Sequence, residues 1–179
     1  IKILSIFGTI SIGNSAFYDC SNLTNVTIPN SVKYIGKRAF QNCTKIDNIL
    51  IPDSVTAIGD SAFKYCTSID NFVIPNSVTT IGENIFGHCS SLKNIIISDS
   101  ITDISYGTFS DCTNLENIAI PDGVTNIGEY AFYGCENLKN INIPNGVKSI
   151  KESTFNGCKS LINITIPEKV TNICNTIRD

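Results

Sequence analysis

The sequence predicts an α/β-type repeat solenoid, with a parallel sheet on one face and short helical or 3-10 turns on the other. Three observations predict it. Phe recurs at 17, 40, 63, 86, 109, 132 and 155, and Cys at 20, 43, 66, 89, 112, 135 and 158, each spaced by 23 residues without a slip. Segments such as Val26-Thr27-Ile28 alternate apolar and polar, the period-2 signal of a half-buried strand. All six prolines fall in one column, at 29, 52, 75, 121, 144 and 167, where a residue without an N–H ends strand pairing.

Further columns keep the same register. Leu23, Ile46, Ile69, Leu92, Leu115, Leu138 and Leu161 form one. Val26, Ile49, Phe72, Ile95, Ile118, Ile141 and Ile164 form the next, and the Ile column from Ile28 to Ile166 a third. Val26 and Ile28 are expected to point inward, Asn25 and Thr27 outward. After the proline come turn-forming pairs such as Asn30-Ser31 and Asp122-Gly123. Val-x-x-Ile follows, then a Gly column at 13, 36, 59, 82 and 128 in which Ser105 and Lys151 are substituted. A left-handed backbone is therefore preferred there at most. The segment Gly-x-x-Ala-Phe-x-x-Cys is short enough for one helical or 3-10 turn that drives Phe into the core. One unit alone exposes its apolar face, whereas stacked units bury one another.

The chain of 179 residues reads as a single domain. It comprises a degenerate first repeat over 1–15, seven units over 16–173, and a frayed or truncated end at 174–179. Ile3, Leu4, Ile6 and Ile10 fit the repeat only with a one-residue slip. The segment Ile1–Ile12 does not look like a polar cap. The lack of Met points to a processed form or an excised piece.

Hydrophobic residues make up 42% and charged residues 16%, too apolar a balance for disorder. No run reaches the roughly 18 apolar residues of a membrane span. The net charge is −3 and the cations are scattered, which argues against nucleic acid and anionic membrane surfaces as partners.

The run from Ala16 to Ile173 resembles the BspA-like leucine-rich repeats. The resemblance is carried by Ala-Phe-x-x-Cys-x-x-Leu and Ile-Pro-x-Ser-Val-x-x-Ile-Gly, as in Ala62, Phe63, Cys66, Ile69, Ile74, Pro75, Ser77, Val78, Ile81 and Gly82. The asparagine ladder usual after the strand of leucine-rich repeats is missing: Ser31, Ser54, Ser77, Ser100, Gly123 and Gly146 stand there. The resemblance implies a leucine-rich-repeat fold and a cell-surface or secreted adhesion protein that binds host or matrix proteins, an extracellular matrix glycoprotein among the candidates. An intracellular scaffold or a structural spacer are the rival readings.

Seven cysteines, one per repeat in an apolar column, read as a core ladder, with neither disulfide pairs nor the C-x-x-C spacing of a metal site. The Asn column at 25, 48, 71, 94, 117, 140 and 163 reads as an amide ladder along the stack. The outward column Thr27, Leu50, Val73, Ile96, Ala119, Asn142 and Thr165 is apolar in the middle, and a contiguous exposed apolar stripe marks an interaction site. The predicted partner-binding set on the concave face is therefore Leu50, Val73 and Ile96, with Asp47, Asp70 and Lys93 as a charged rim and Asn71 and Asn94 between. His88, the single histidine, reads as a surface residue beside a buried Cys89, so no catalytic dyad is expected. No catalytic, metal or cofactor residue is assigned, and an enzyme is not expected. The sequons at Asn22, Asn25, Asn42 and Asn163 are glycosylation acceptors if the chain takes a eukaryotic secretory route.

Overall fold

The computed structural model describes residues 3–6, 8 and 10–175. The expectations for Ile1–Ile12 and for residues 174–179 lie partly outside them. Every strand pair among the described residues is parallel. The chain is a β-solenoid of stacked coils.

One strand column runs through Ile3–Ser5, Asn25–Thr27, Asn48–Leu50, Asn71–Val73, Asn94–Ile96, Asn140–Asn142 and Asn163–Thr165. An isolated bridge from Asn117 to Asn140 carries it across the remaining coil. In Asn25–Thr27 the middle residue is buried and the outer two exposed, as the alternation requires. The first pair is out of step: Ile3 opposes Asn25, a spacing of 22, while Ser11 opposes Tyr34 at the full 23.

The opposite face departs from expectation in two ways. First, it carries a second column of two-residue strands, including Ser11–Ile12, Tyr34–Ile35, Ala57–Ile58 and Thr80–Ile81. Each buries its Ile and turns the other residue outward or partly so. Second, no helix forms among the described residues, so the expected helical or 3-10 turn is wrong. The reason lies in where the N–H groups go. A 3-10 turn needs successive i→i−3 bonds. Here only alternate residues make them: Ala39 to Gly36, Gln41 to Arg38 and Cys43 to Phe40. The residues between donate to the next coil: Arg38 to Asp60, Phe40 to Ala62 and Asn42 to Lys64, at 2.8–2.9 Å. Left-handed residues turn those N–H groups along the stack, as at Arg38 (φ 57°) and Asn42 (φ 64°). The second such position is held by Asp19, Asn42, Tyr65, His88, Asp111, Gly134 and Gly157, a set rich in the residue types that tolerate this backbone.

The Gly column has a different cause from the one expected. None of Gly36, Gly59, Gly82 or Gly128 is left-handed. A Cβ on Gly36 would stand 2.7 Å from the Asn14 nitrogen, and one on Gly59 would stand 2.6 Å from that of Lys37. Glycine is there because adjacent coils touch backbone to backbone.

The core is a set of ladders. Consecutive Phe rings from Phe17 to Phe155 stack at centroid spacings of 5.3–6.0 Å. All eight cysteines are free thiols: Cys43 to Cys135 are buried, Cys20 and Cys158 half-buried, and Cys174 exposed.

Candidate functional site

The outward column of the first strand ladder is exposed along its length, from Thr27 to Thr165. Its middle carries the largest apolar side chains: Leu50 is 74% exposed, Val73 50% and Ile96 64%. Val73 and Ile96 are directly paired across neighbouring strands. The backbone reason is the pleat: burying Ile49, Phe72 and Ile95 forces the residues on either side outward.

The predicted rim residues Asp47, Asp70 and Lys93 are all exposed. Together with Asn25, Asn48 and Asn71 they line a polar hollow of about 810 Å³. Ser68, Ser91 and Asn114 complete it, and sequence reasoning had not singled them out. They occupy one column of the repeat, so the 23-residue register alone could have found them. Leu50 lines a second hollow, of about 570 Å³, with Thr27, Asn30 and Asp53. Val73, Ile96 and Asn94 lie on the same face but line neither of these two hollows.

The Asn column forms its ladder in two stretches. Asn94 donates to Asn71 at 2.9 Å; Asn140 donates to Asn117 at 3.3 Å and Asn163 to Asn140 at 2.9 Å. These bonds fix the amides that separate the apolar stripe from the charged column. In that column Lys139 donates to Glu116 at 2.7 Å, and this hydrogen bond, with the lysine's charge, holds the Glu116 carboxyl below its ordinary value. The charged column thus runs Asp47, Asp70, Lys93, Glu116, Lys139, negative at one end and alternating beyond.

His88 lies on the turn side. Its ring stacks on Tyr65 with centroids 4.5 Å apart, and its Nδ1 is 3.3 Å from an Asp111 carboxylate oxygen. Burial lowers its pKa, with Asp111 opposing and Lys64 reinforcing the shift. The neighbouring Cys89 thiol is buried and donates to the Phe63 carbonyl at 3.1 Å, so the two side chains form no dyad. Burial pushes the Cys89 thiol up to about 12. Among the described residues no helix is long and apolar enough to cross a membrane.

The family model described as a BspA type leucine rich repeat region matches residues 2–115 and 79–177 in six copies. None of the curated proteins matches the chain. Among solved structures, a leucine-rich repeat protein from Bacteroides ovatus is 35% identical, with a TM-score of 0.87 over 97% of this chain and 45% of that one. A leucine rich cell surface protein from Faecalibacterium prausnitzii is 29% identical, with a TM-score of 0.66 over 92% of this chain and 59% of that one. A leucine rich repeat protein of T. pallidum is 30% identical, with a TM-score of 0.64 over 99% and 78%. The chain therefore spans about half the length of the first two. Its 23-residue coils and the matched repeats place it in a family: the chain belongs to the BspA type leucine-rich repeat proteins.

Proposed function

We propose that this chain is a protein-binding module that holds its partner on the outer face of the first strand column, in the setting of adhesion at a cell surface to host or matrix proteins. The observation that carries the reading is the exposure of Leu50, Val73 and Ile96 on three consecutive coils. Contiguous apolar surface rimmed by polar groups marks interaction sites. Asp47, Asp70 and Lys93 supply the charged rim, and Asn71 and Asn94 the amides between. Membership of a leucine-rich repeat family supports a protein partner, and the likeness to a Faecalibacterium cell surface protein supports the location.

The test is binding of the purified chain to immobilised extracellular matrix glycoproteins, beside a Leu50→Lys/Val73→Lys/Ile96→Lys variant with unchanged circular dichroism. Saturable binding that the variant loses is the expected result. Binding that the variant keeps moves the site off this face, and no binding by the unaltered chain overturns the adhesion reading.

A further inference from the structure

A further hollow lies along the second strand column, beside Asp103–Ile104 and Asn126–Ile127. Three of the six tyrosines, Tyr106, Tyr130 and Tyr133, gather there on two adjacent coils. Tyr130 packs against both others, with centroids 5.5 Å from Tyr106 and 5.7 Å from Tyr133. Tyr106 is 43% exposed and Tyr133 37%. Tyr106 also forms one wall of a hollow of about 360 Å³. Glu83 and Glu129, in its own column on the coils before and after, lie to either side.

The floor and far wall of this hollow are set by backbone fit. Gly128 lies in the lining, and a Cβ there would stand 2.6 Å from the Tyr106 nitrogen, so the floor stays bare. The two side chains that replace glycine in that column within the seven units, Ser105 and Lys151, both line this same hollow. The repeat thus departs from its pattern at the positions that shape one concavity. Asp103 is held in place there. It accepts from Asn126 Nδ2 at 2.7 Å on one oxygen and from Ser105 Oγ at 3.1 Å on the other.

The geometry points to a carbohydrate site. An exposed tyrosine ring offers a flat apolar face with a hydroxyl at its edge, which suits the C–H face of a pyranose. Fixed carboxylate, amide and hydroxyl groups around it supply acceptors and donors for the sugar hydroxyls. A few fixed polar groups beside an aromatic wall are what orient a small ligand in a concave site. Charge selects the class. Glu83, Asp103 and Glu129 face a single cation, Lys151, so the hollow disfavours acidic sugars and accepts neutral or amino sugars. This proposal is independent of the apolar stripe, which lies on the first strand column.

The chain has no Trp, so its emission comes from six tyrosines, three of which stand in this corner. The experiment titrates the whole chain with tetramers of N-acetylglucosamine, mannose, galactose and glucosamine, and with a hyaluronan tetramer as the acidic probe, following tyrosine emission and binding heat. Saturable binding of at least one neutral or amino sugar is expected, weakened roughly tenfold or more by Tyr106→Ala and several-fold by Asp103→Asn. The Leu50→Lys/Val73→Lys/Ile96→Lys variant keeps it. Overturning results are no binding by any neutral or amino tetramer, binding led by hyaluronan, or affinity unchanged in Tyr106→Ala.

Discussion

The Cys89 thiol donates to the carbonyl of Phe63, 26 residues back in the chain and 3.1 Å away. That carbonyl also accepts the Cys66 N–H at 3.1 Å, so both of its acceptor directions are used in a buried setting. The same arrangement joins Cys43 to Phe17, Cys66 to Phe40, Cys112 to Phe86, Cys135 to Phe109 and Cys158 to Phe132. The cysteine column therefore does more than fill apolar space. It gives six turn carbonyls, from Phe17 to Phe132, a second donor from the following coil.

The thiols also make stability depend on pH in a definite direction. Burial first, and the neighbouring Cys20 thiol second, push the Cys43 thiol up to about 12; burial does the same at Cys89 and Cys158. Cys66, Cys112 and Cys135 are raised well above the ordinary 9.0 as well. A folded value above the unfolded one means that the unfolded chain releases protons first. The stabilisation is complete below pH 9 and is lost as the pH rises from 9 towards 12, by about 1.4 kcal/mol per pH unit for each fully buried thiol. Urea midpoints at pH 7.5, 9, 10 and 11 should fall more steeply above pH 9 for the unaltered chain than for a Cys89→Ala/Cys112→Ala variant. Every other group is common to both chains, so equal slopes would remove the thiols from the account.

Two glycines separate close approach from mere habit. A Cβ on Gly59 would meet backbone of the preceding coil, 2.6 Å from the Lys37 nitrogen and 2.9 Å from the Gly36 carbonyl carbon. Neither atom can move without shifting a coil, so Gly59→Ala should destabilise by about 1–3 kcal/mol. Gly123 is different: its nearest neighbour would be the Asp99 carbonyl oxygen at 3.6 Å, and other coils carry Ser at that position. Gly123→Ala should change stability by no more than about 0.5 kcal/mol. Chemical unfolding of the two variants decides it, and a larger loss at Gly123 would refute the close-approach argument.

Much of this was legible in the sequence because a repeat shows one register many times over. The strand Asn25–Thr27 follows from its alternation, and the exposure of Leu50, Val73 and Ile96 follows from the burial of their neighbours. What escaped were features carried by contacts between coils. Tyr34–Ile35 is too short a strand for periodicity to register; pairing with Ala57–Ile58 creates it. Arg38, Phe40 and Asn42 read as a helical turn because their spacing is local, while their N–H groups are spent on the next coil. The Tyr106 hollow escaped for the same reason. Its residues belong to four different coils, and only alignment of the columns brings Glu83, Tyr106, Glu129 and Lys151 together.

The Phe ladder predicts how the molecule comes apart. Phe86 is fully buried and stacks on Phe63 at 6.0 Å and on Phe109 at 5.8 Å, while Phe72 meets it edge-on at 4.7 Å. Phe86→Ala should cost about 3–5 kcal/mol, the range for losing a buried aromatic. In a solenoid each coil is stabilised by its neighbours, so a loss this large in the middle weakens the coupling between the two halves. Urea unfolding followed by circular dichroism and by tyrosine fluorescence should then give non-coincident transitions. Phe17 is half-buried and, among the described residues, stacks on one ring, Phe40 at 5.3 Å. Phe17→Ala should cost less than half as much and leave the transitions coincident, because the end coil can fray without uncoupling the rest. Equal costs at the two positions, or coincident transitions in Phe86→Ala, would mean that the array unfolds as a single unit rather than coil by coil.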